Sequence, residues 1–198
     1  MDKKIYDAYL EILREELVPA MGCTEPIAVA YAGALARQTL GVMPEHVVLT
    51  VSGNIVKNVK SVIVPHTGGR KGLRTAVAAG ICFGEAEKEL EVLADASSEQ
   101  LAEMDRWLDR SEITIQESKS ECPFDLHVLA EAGEESAYVR IISHHTNVVC
   151  IRRNDTVLLE KPYTEEAVQV PENRKLLNVE DIVAFADTVA IRDVQDTL

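Results

Sequence analysis

A run of five short stretches between residues 112 and 161 constrains the fold more than any other part of the chain. Each stretch has the apolar, β-branched pattern of a strand, and turn residues separate them. The five predicted strands lie at residues 112–116, 124–131, 137–142, 148–152 and 156–161. Another strand is predicted at Val47–Ser52, whereas residues 55–60 remain ambiguous. Because helical patterns precede this run without alternating with it, the sequence predicts an α+β fold with N-terminal helices flanking a mostly antiparallel sheet.

Helical spacing of apolar residues predicts the remaining elements. A first helix is expected at residues 2–17, and a second, rich in alanine, at residues 26–40, where Gly41 ends it. Small side chains allow close approach to neighbouring elements, so this second helix is expected to be buried. The other predicted helices lie at about 72–83, 86–92, 97–109 and from 178 onward.

The chain is expected to divide into three parts. Residues 1–45 form a helical segment, residues 46–165 an α+β domain, and residues 166–198 the start of a truncated helical domain. The last predicted helix runs to the end of the sequence with no C-cap glycine or proline. We therefore expect this sequence to be the N-terminal part of a longer protein, whose helical C-terminal half is missing.

Composition excludes several classes of function. The 198 residues are 46% hydrophobic and 27% charged, which suffices for a substantial core, and the net charge is −13. Such a charge argues against a nucleic-acid partner or an anionic membrane surface. No apolar run is long enough to span a membrane, and the N-terminus lacks the features of a signal peptide. We therefore expect a cytoplasmic protein whose four cysteines are reduced thiols.

The loop between the first two helices carries the most reactive side chains. Pro26 fits the first turn of the second helix, Thr24 or Glu25 fits its N-cap, and Gly22 permits a sharp entry. Cys23 then faces the positive end of the helix dipole, which predicts a lowered thiol pKa and a reactive thiolate. The alternative is a small buried hydrophobic residue without function.

A second loop, Pro65–Gly72, is rich in glycine and opens a predicted helix. It matches neither the phosphate loop of nucleotide hydrolases nor the dinucleotide-binding fingerprint, so nucleotide binding is not expected. Backbone N–H groups beside Thr67, Arg70 and Lys71 suit a carboxylate or another small anion. A tight turn with two solvated cations explains the same residues.

A third loop, Ser143–Asn147, lies between two predicted strands. Adjacent histidines point to opposite faces of a strand, so His144 and His145 do not chelate one metal, and no further ligand motif completes a site. His145 and Asn147 instead suit contact with a substrate carboxylate or amine, unless His145 is an ordinary loop histidine. Asn54, in the corner after the first strand, suits a turn.

Four motifs together resemble a known enzyme family. They are Met21–Pro26, Ser52–Ile55, Val64–Gly69 and His145–Val148. The combination resembles the N-terminal portion of the L-cysteine desulfidase family, which is related to the iron–sulfur L-serine dehydratases. The resemblance spans most of residues 15–160, and the Gly-Cys-Thr-Glu-Pro loop is its most specific part.

The resemblance implies an oxygen-sensitive lyase that converts L-cysteine to pyruvate, ammonia and sulfide, or that acts on serine as the related dehydratases do. Such enzymes use a [4Fe–4S] cluster as a Lewis acid, held mostly by cysteines of a C-terminal half that this sequence does not contain. Cys23 would be the catalytic acid/base thiol or an added cluster ligand. The residues expected to bind the substrate are Thr24, Glu25, Asn54, Thr67, Gly68, His145 and Asn147. Pyridoxal phosphate is not expected.

The leading hypothesis is therefore the substrate-side portion of an iron–sulfur amino-acid lyase, inactive as this chain alone. Its expected partners are a small amino acid, the missing C-terminal half and a second copy in a homodimer. The first alternative is a non-catalytic module that binds a small amino acid or dimerises. The second is a structural domain without a site.

Overall fold

The chain folds into two compact units. The computed structural model describes residues 1–17, 19–94, 96–163 and 170–197. The larger unit, which we call the sheet unit, spans Ala20–Val168; the terminal unit combines Met1–Pro19 with Gln169–Leu198. These limits differ from the expected division at residues 45 and 165, because the alanine-rich helix belongs with the sheet while the first helix belongs with the end of the chain.

The described part of the sheet unit contains one six-stranded mixed sheet. Its strands are β1 (His46–Val51), β2 (Glu112–Glu117), β3 (Asp125–Ala132), β4 (Glu135–Ile142), β5 (Val148–Arg153) and β6 (Thr156–Glu160). Their order is β2-β1-β3-β4-β5-β6, in which β1 pairs with β2 in parallel and the later pairs are antiparallel. The α+β class and the mostly antiparallel sheet are thus confirmed.

The helices are α1 (Lys3–Glu16), α2 (Thr24–Leu40), α3 (Gly53–Val59), α4 (Gly72–Phe83), α5 (Ser98–Arg110), α6 (Val179–Thr188) and α7 (Ile191–Val194). Helices α2 and α4 of the sheet unit pack against this sheet, and α1, α6 and α7 belong to the terminal unit. Short 3-10 segments occur at Ala86–Glu91 and Arg174–Leu176. Among the described helices, none combines the length and the apolar character needed to cross a membrane.

Helix α2 is buried in the core of the sheet unit, as its alanine content predicted. It packs against α4 on one side and against β3 and β4 on the other, and most of its residues are fully buried. The two helices lie so close that a Cβ at Gly80 would stand 1.9 Å from the carbonyl oxygen of Ala30. Only a residue without a side chain fits that crossing.

The ambiguous stretch after β1 is helix α3. Its apolar residues Ile55 and Val59 are four apart and both are fully buried, which is the spacing of one helix face. The helix is only seven residues long. So short a segment shows too few periods for its type to be recognised from sequence.

The terminal unit is built on aromatic packing. Tyr6 and Tyr9 of α1 contact Phe185 of α6, with ring centroids 5.3 and 5.4 Å apart. The Tyr6 hydroxyl donates to the Asp193 carboxylate at 2.7 Å, and the Tyr9 hydroxyl donates to the Leu176 carbonyl at 3.2 Å. The expected long final helix is instead two short ones that bond to α1. The expectation that a helical C-terminal half follows this tail stays a prediction.

Candidate functional site

The candidate site lies where three chain segments meet at one end of the sheet. Strand β1 leads there into α3, β4 leads into the Ser143–Asn147 turn, and α2 begins there. Backbone hydrogen bonds join the segments: Ser52 N–H donates to the Asp125 carbonyl at 2.8 Å, and Ser143 N–H donates to the Phe124 carbonyl at 2.9 Å. The fold thus collects at one place residues that are more than 100 positions apart in sequence.

The entry to α2 places Cys23 and Glu25 side by side. Gly22 has a φ of 138°, a left-handed conformation that favours glycine, and the next residue is extended. Cys23 itself is the N-cap, so the prediction of Thr24 or Glu25 at that position is wrong by one or two residues. Pro26 lies in the first turn, as expected, because its missing N–H has no partner to lose there.

The Glu25 carboxylate is the hub of the site. Its Oε2 atom accepts hydrogen bonds from the Cys23 thiol at 3.2 Å and from the Thr24 hydroxyl at 3.5 Å. Its Oε1 atom accepts a hydrogen bond from Asn58 Nδ2 at 3.0 Å. His145 also lies near Glu25, and in its protonated form it lowers the pKa of Glu25. We call these five residues the Glu25 cluster.

Electrostatics separate the two acidic groups of this cluster. Burial raises the pKa of Glu25, but hydrogen bonds from Cys23, its own backbone N–H and Asn58 outweigh it, so the net pKa is lowered. Burial also raises the pKa of the Cys23 thiol, and both the hydrogen bond to Glu25 and the charge of Glu25 raise it further. Glu25 is therefore ionised at neutral pH while Cys23 is a protonated thiol.

This result corrects the expected thiolate. The prediction rested on the positive end of the α2 dipole, a partial charge, and the backbone N–H of Glu25 does lower the thiol pKa slightly. A full negative charge 3.2 Å from the sulfur opposes ionisation more strongly than the helix favours it. The sequence showed Glu25 two residues away but not that its carboxylate turns back onto the thiol.

His145 approaches the cluster from the β4–β5 turn. Its ring packs on Phe124, with centroids 4.5 Å apart, and burial lowers its pKa while the nearby Glu25 opposes the shift. Its Nε2 atom is buried and has no hydrogen-bond partner among the described residues. Asn147 Nδ2 donates to the Ile142 carbonyl at 2.9 Å, so it closes the turn that carries His145.

The glycine-rich turn lies beside the Cys23 loop. A Cβ at Gly22 would stand 3.5 Å from Pro65, and His66 next to it has a left-handed φ of 58°. The Thr67 hydroxyl is fully buried and donates to the Val64 carbonyl at 2.8 Å, within its own turn. Thr67 and the neighbouring Gly68 are thus close to the Cys23 loop, but the substrate contacts expected of them stay a prediction.

The cation expected to hold an anion in this turn is already paired. Arg70 Nε and Nη2 donate to the two carboxylate oxygens of Asp105 at 3.1 and 2.5 Å. Asp105 belongs to α5, so this bidentate pair ties the turn to that helix. Its role is structural in the arrangement observed.

Asn58 is the cluster member that sequence reasoning missed. It lies one helical turn after Asn54, which was predicted to bind substrate and is exposed on the same helix. Residues four apart in a helix share a face, so Asn54 lies on the side of α3 that carries Asn58. An Asn-x-x-x-Asn pair would have pointed to Asn58 once residues 53–59 were known to be helical.

The part of the chain that the structure describes has no group of cysteines that could hold an iron–sulfur cluster. There, no three His, Cys, Asp or Glu side chains are gathered in a way that would hold a metal ion. Cys122 and Cys150 are buried and Cys82 is half-buried against the core, as expected of structural thiols. The described residues thus offer no set of ligands for an iron–sulfur cluster, and the role of Cys23 as an added cluster ligand stays a prediction.

A second polar network, also missed from sequence, lies on the sheet face that α2 does not cover. The fully buried Asp125 accepts hydrogen bonds from Arg140 Nε at 2.9 Å and from the Ser118 hydroxyl at 2.6 Å, and it bonds His127 Nε2 at 2.9 Å. His127 Nδ1 in turn bonds the Tyr138 hydroxyl at 2.6 Å. Alternation within β3 and within β4 puts these side chains on one face. We call them the Asp125 network.

Comparisons with known proteins give relatives but no activity. No family model matches the chain, and no solved structure matches it. It is similar to UPF0597 proteins of Treponema denticola (40% identity), Desulfitobacterium hafniense (42%) and Finegoldia magna (38%). The matches cover 96–98% of this chain but 45–46% of each relative, so the chain spans about half the length of the curated relatives it matches.

These relatives overturn the family assigned from motifs. They are named UPF0597 proteins, names that state no reaction, and not desulfidases or dehydratases. The assignment to the N-terminal portion of an L-cysteine desulfidase is therefore wrong. The iron–sulfur lyase receives no support, and neither does the alternative, a module that binds a small amino acid or dimerises. What the comparisons establish is that nearly all of this chain is similar to UPF0597 proteins from several bacteria.

Proposed function

We propose that the Glu25 cluster is a general acid–base site of an enzyme and exchanges protons with a small polar molecule. The observation that carries this proposal is the 3.2 Å hydrogen bond from the Cys23 thiol to the Glu25 carboxylate. Two titratable groups are held in contact there, and the contact drives their pKa values in opposite directions. Environments that separate two such values are typical of paired catalytic acids and bases.

Each group has a role in this proposal. Glu25 is ionised at neutral pH and accepts a proton from the bound molecule, so it is the general base. Cys23 is exposed and protonated, and its thiol gives a proton to the anion that the bound molecule becomes. Glu25 then releases its extra proton to solvent and the Cys23 thiolate takes one from solvent, so the pair returns to its starting state.

The surroundings suit this chemistry. His145, whose pKa burial lowers, brings no fixed positive charge that would hold Glu25 permanently in an ion pair. Left-handed residues flank the cluster at His66 and Ser143, and strained backbone of this kind is concentrated at functional sites. Loops that carry such residues on a rigid sheet are a common way to build an active site.

The test is deuterium exchange catalysed by the chain. The purified chain is incubated in heavy water with 2-oxo and 2-hydroxy acids of two to four carbons, and loss of carbon-bound protons is followed by NMR. Wild type is expected to accelerate exchange for at least one acid. Cys23→Ser and Glu25→Gln should each slow it about 100-fold, the usual contribution of one acid–base group.

The matched control is Glu134→Gln, which removes an exposed carboxylate from the β3–β4 turn at the opposite end of the sheet. It should leave the exchange rate unchanged. Equal rates in wild type and both cluster variants, or no acceleration by wild type, would overturn the proposal.

A further inference from the structure

Asn58 holds the Glu25 carboxylate from helix α3, through a hydrogen bond of 3.0 Å to Oε1. We propose that Asn58 is the positioning residue of this site, fixing the Glu25 carboxylate so that one oxygen stays aimed at the Cys23 sulfur. The inference rests on the acid–base function proposed above. It extends that function to a residue that bonds Glu25 and takes no part in the proton transfer itself.

Asn58 is carried by a helix that is anchored at its start and buried on one face. It lies between Ile55 and Val59, which are fully buried, on a helix that follows directly from β1. Ser52, the N-cap of this helix, donates its hydroxyl to the Pro123 carbonyl at 2.6 Å. The helix is thus held beside the sheet at its start, and it packs against α2 and α4.

The Glu25 carboxylate needs a fixed donor to hold its orientation. The last torsion of a glutamate side chain has a broad energy profile, so a carboxylate held at one oxygen only is free to turn. Asn58 holds Oε1 at 3.0 Å while Cys23 and Thr24 share Oε2. The division of donors between the two oxygens sets which one meets the thiol.

An amide suits the orientation of Glu25 better than a charged donor does. A lysine or arginine would neutralise Glu25 and remove the field that keeps Cys23 protonated. Asn58 donates a hydrogen bond without adding a charge, and it does so at every pH at which the protein is folded. The amide therefore fixes the geometry and leaves the charge of the pair unchanged.

The test compares two substitutions with opposite expected effects on the thiol. The rate of Cys23 alkylation by iodoacetamide is measured from pH 6 to 11 on the full chain, with the modified peptide identified by mass spectrometry. Asn58→Ala frees the carboxylate and weakens its hydrogen bond to the thiol, so the midpoint should fall by about 0.5 pH units. Asn58→Asp adds a second negative charge, so the midpoint should rise by about 0.5 units.

The matched control is a substitution outside the Glu25 cluster. Gln116→Ala removes an exposed amide from β2 and should leave the midpoint where wild type has it. A purely structural bond between α2 and α3 would lower the unfolding temperature of both variants without moving the midpoints apart. Midpoints that do not change, or that move in the same direction, would overturn the role of Asn58.

The same variants separate this inference from the function on which it rests. If the midpoints move apart as expected but wild type catalyses no deuterium exchange, Asn58 positions the pair and the acid–base function fails. If wild type catalyses exchange while the midpoints stay together, the function stands and Asn58 is not its positioning residue.

Discussion

Glu25 and Asp125 are two carboxylates of the sheet unit with lowered pKa values and opposite surroundings. Glu25 lies in the first turn of a helix, half-buried, and its donors are an exposed thiol, a hydroxyl and an amide. Asp125 lies in a strand with its side chain wholly buried, and its partners include an arginine. The comparison shows one kind of group, hydrogen-bonded in both places, that faces a titratable thiol in one and a permanent cation in the other.

The difference comes from the charge of the partners and their access to water. Burial raises the pKa of Asp125, but hydrogen bonds with His127, Arg140 and Ser118 outweigh it and lower the pKa to about 2. Arg140 cannot release a proton, so the pair stays ionic over the range in which proteins function. Cys23 can release and regain one, because it is a weak acid at the surface.

The largest effect is expected from removing the buried carboxylate. Asp125→Ala removes the partner of three hydrogen bonds at a fully buried position, and each polar group left unsatisfied there costs about 1–3 kcal/mol. Urea unfolding followed by circular dichroism measures the loss. The control Glu135→Gln breaks an exposed pair with Arg153, 3.5 Å long, and should change the unfolding free energy by less than about 0.5 kcal/mol. Similar losses in both variants would contradict the contrast.

The contribution of Asp125 to the unfolding free energy should be lost at acid pH, where its carboxylate is protonated. The pKa of Asp125 is about 2 in the folded chain and 3.8 for the free side chain. The unfolded state therefore binds this proton first, so the stability from Asp125 is present above pH 4 and lost as the pH falls towards 2. The loss is about 2 kcal/mol. Unfolding free energies at pH 5, 4, 3 and 2 should show this decline in wild type, and the part due to this group should be missing in Asp125→Asn.

The smallest effect on stability is expected at Glu25. Glu25→Gln removes a half-exposed charge and should change the unfolding free energy by less than about 0.5 kcal/mol. The same change removes the negative charge beside the thiol, so the midpoint of Cys23 alkylation should fall by about one pH unit. Glu134→Gln should do neither. A large loss of stability without a change at Cys23 would make Glu25 a second structural carboxylate.

The sequence was most informative where patterns are local and long. The strands between residues 112 and 161 and helix α4 at residues 72–83 were predicted within about two residues, because side-chain alternation and helical spacing are read directly from the chain. Helix α3 was too short for its period to be recognised. The three loops that meet near Cys23 were each identified by composition, but only the fold brings Glu25, Asn58 and His145 together.

What the sequence alone determined was the α+β class, the buried alanine-rich helix and the segments that carry reactive side chains. These follow from residue volume, polarity and spacing, which are properties of neighbours along the chain. The tertiary structure decided the ionisation of Cys23, the hydrogen bond of Asn58 to Glu25 and the existence of the Asp125 network. Each depends on the direction of a side chain across several ångströms, and electrostatic interactions are set by distance and burial in space rather than by separation in sequence.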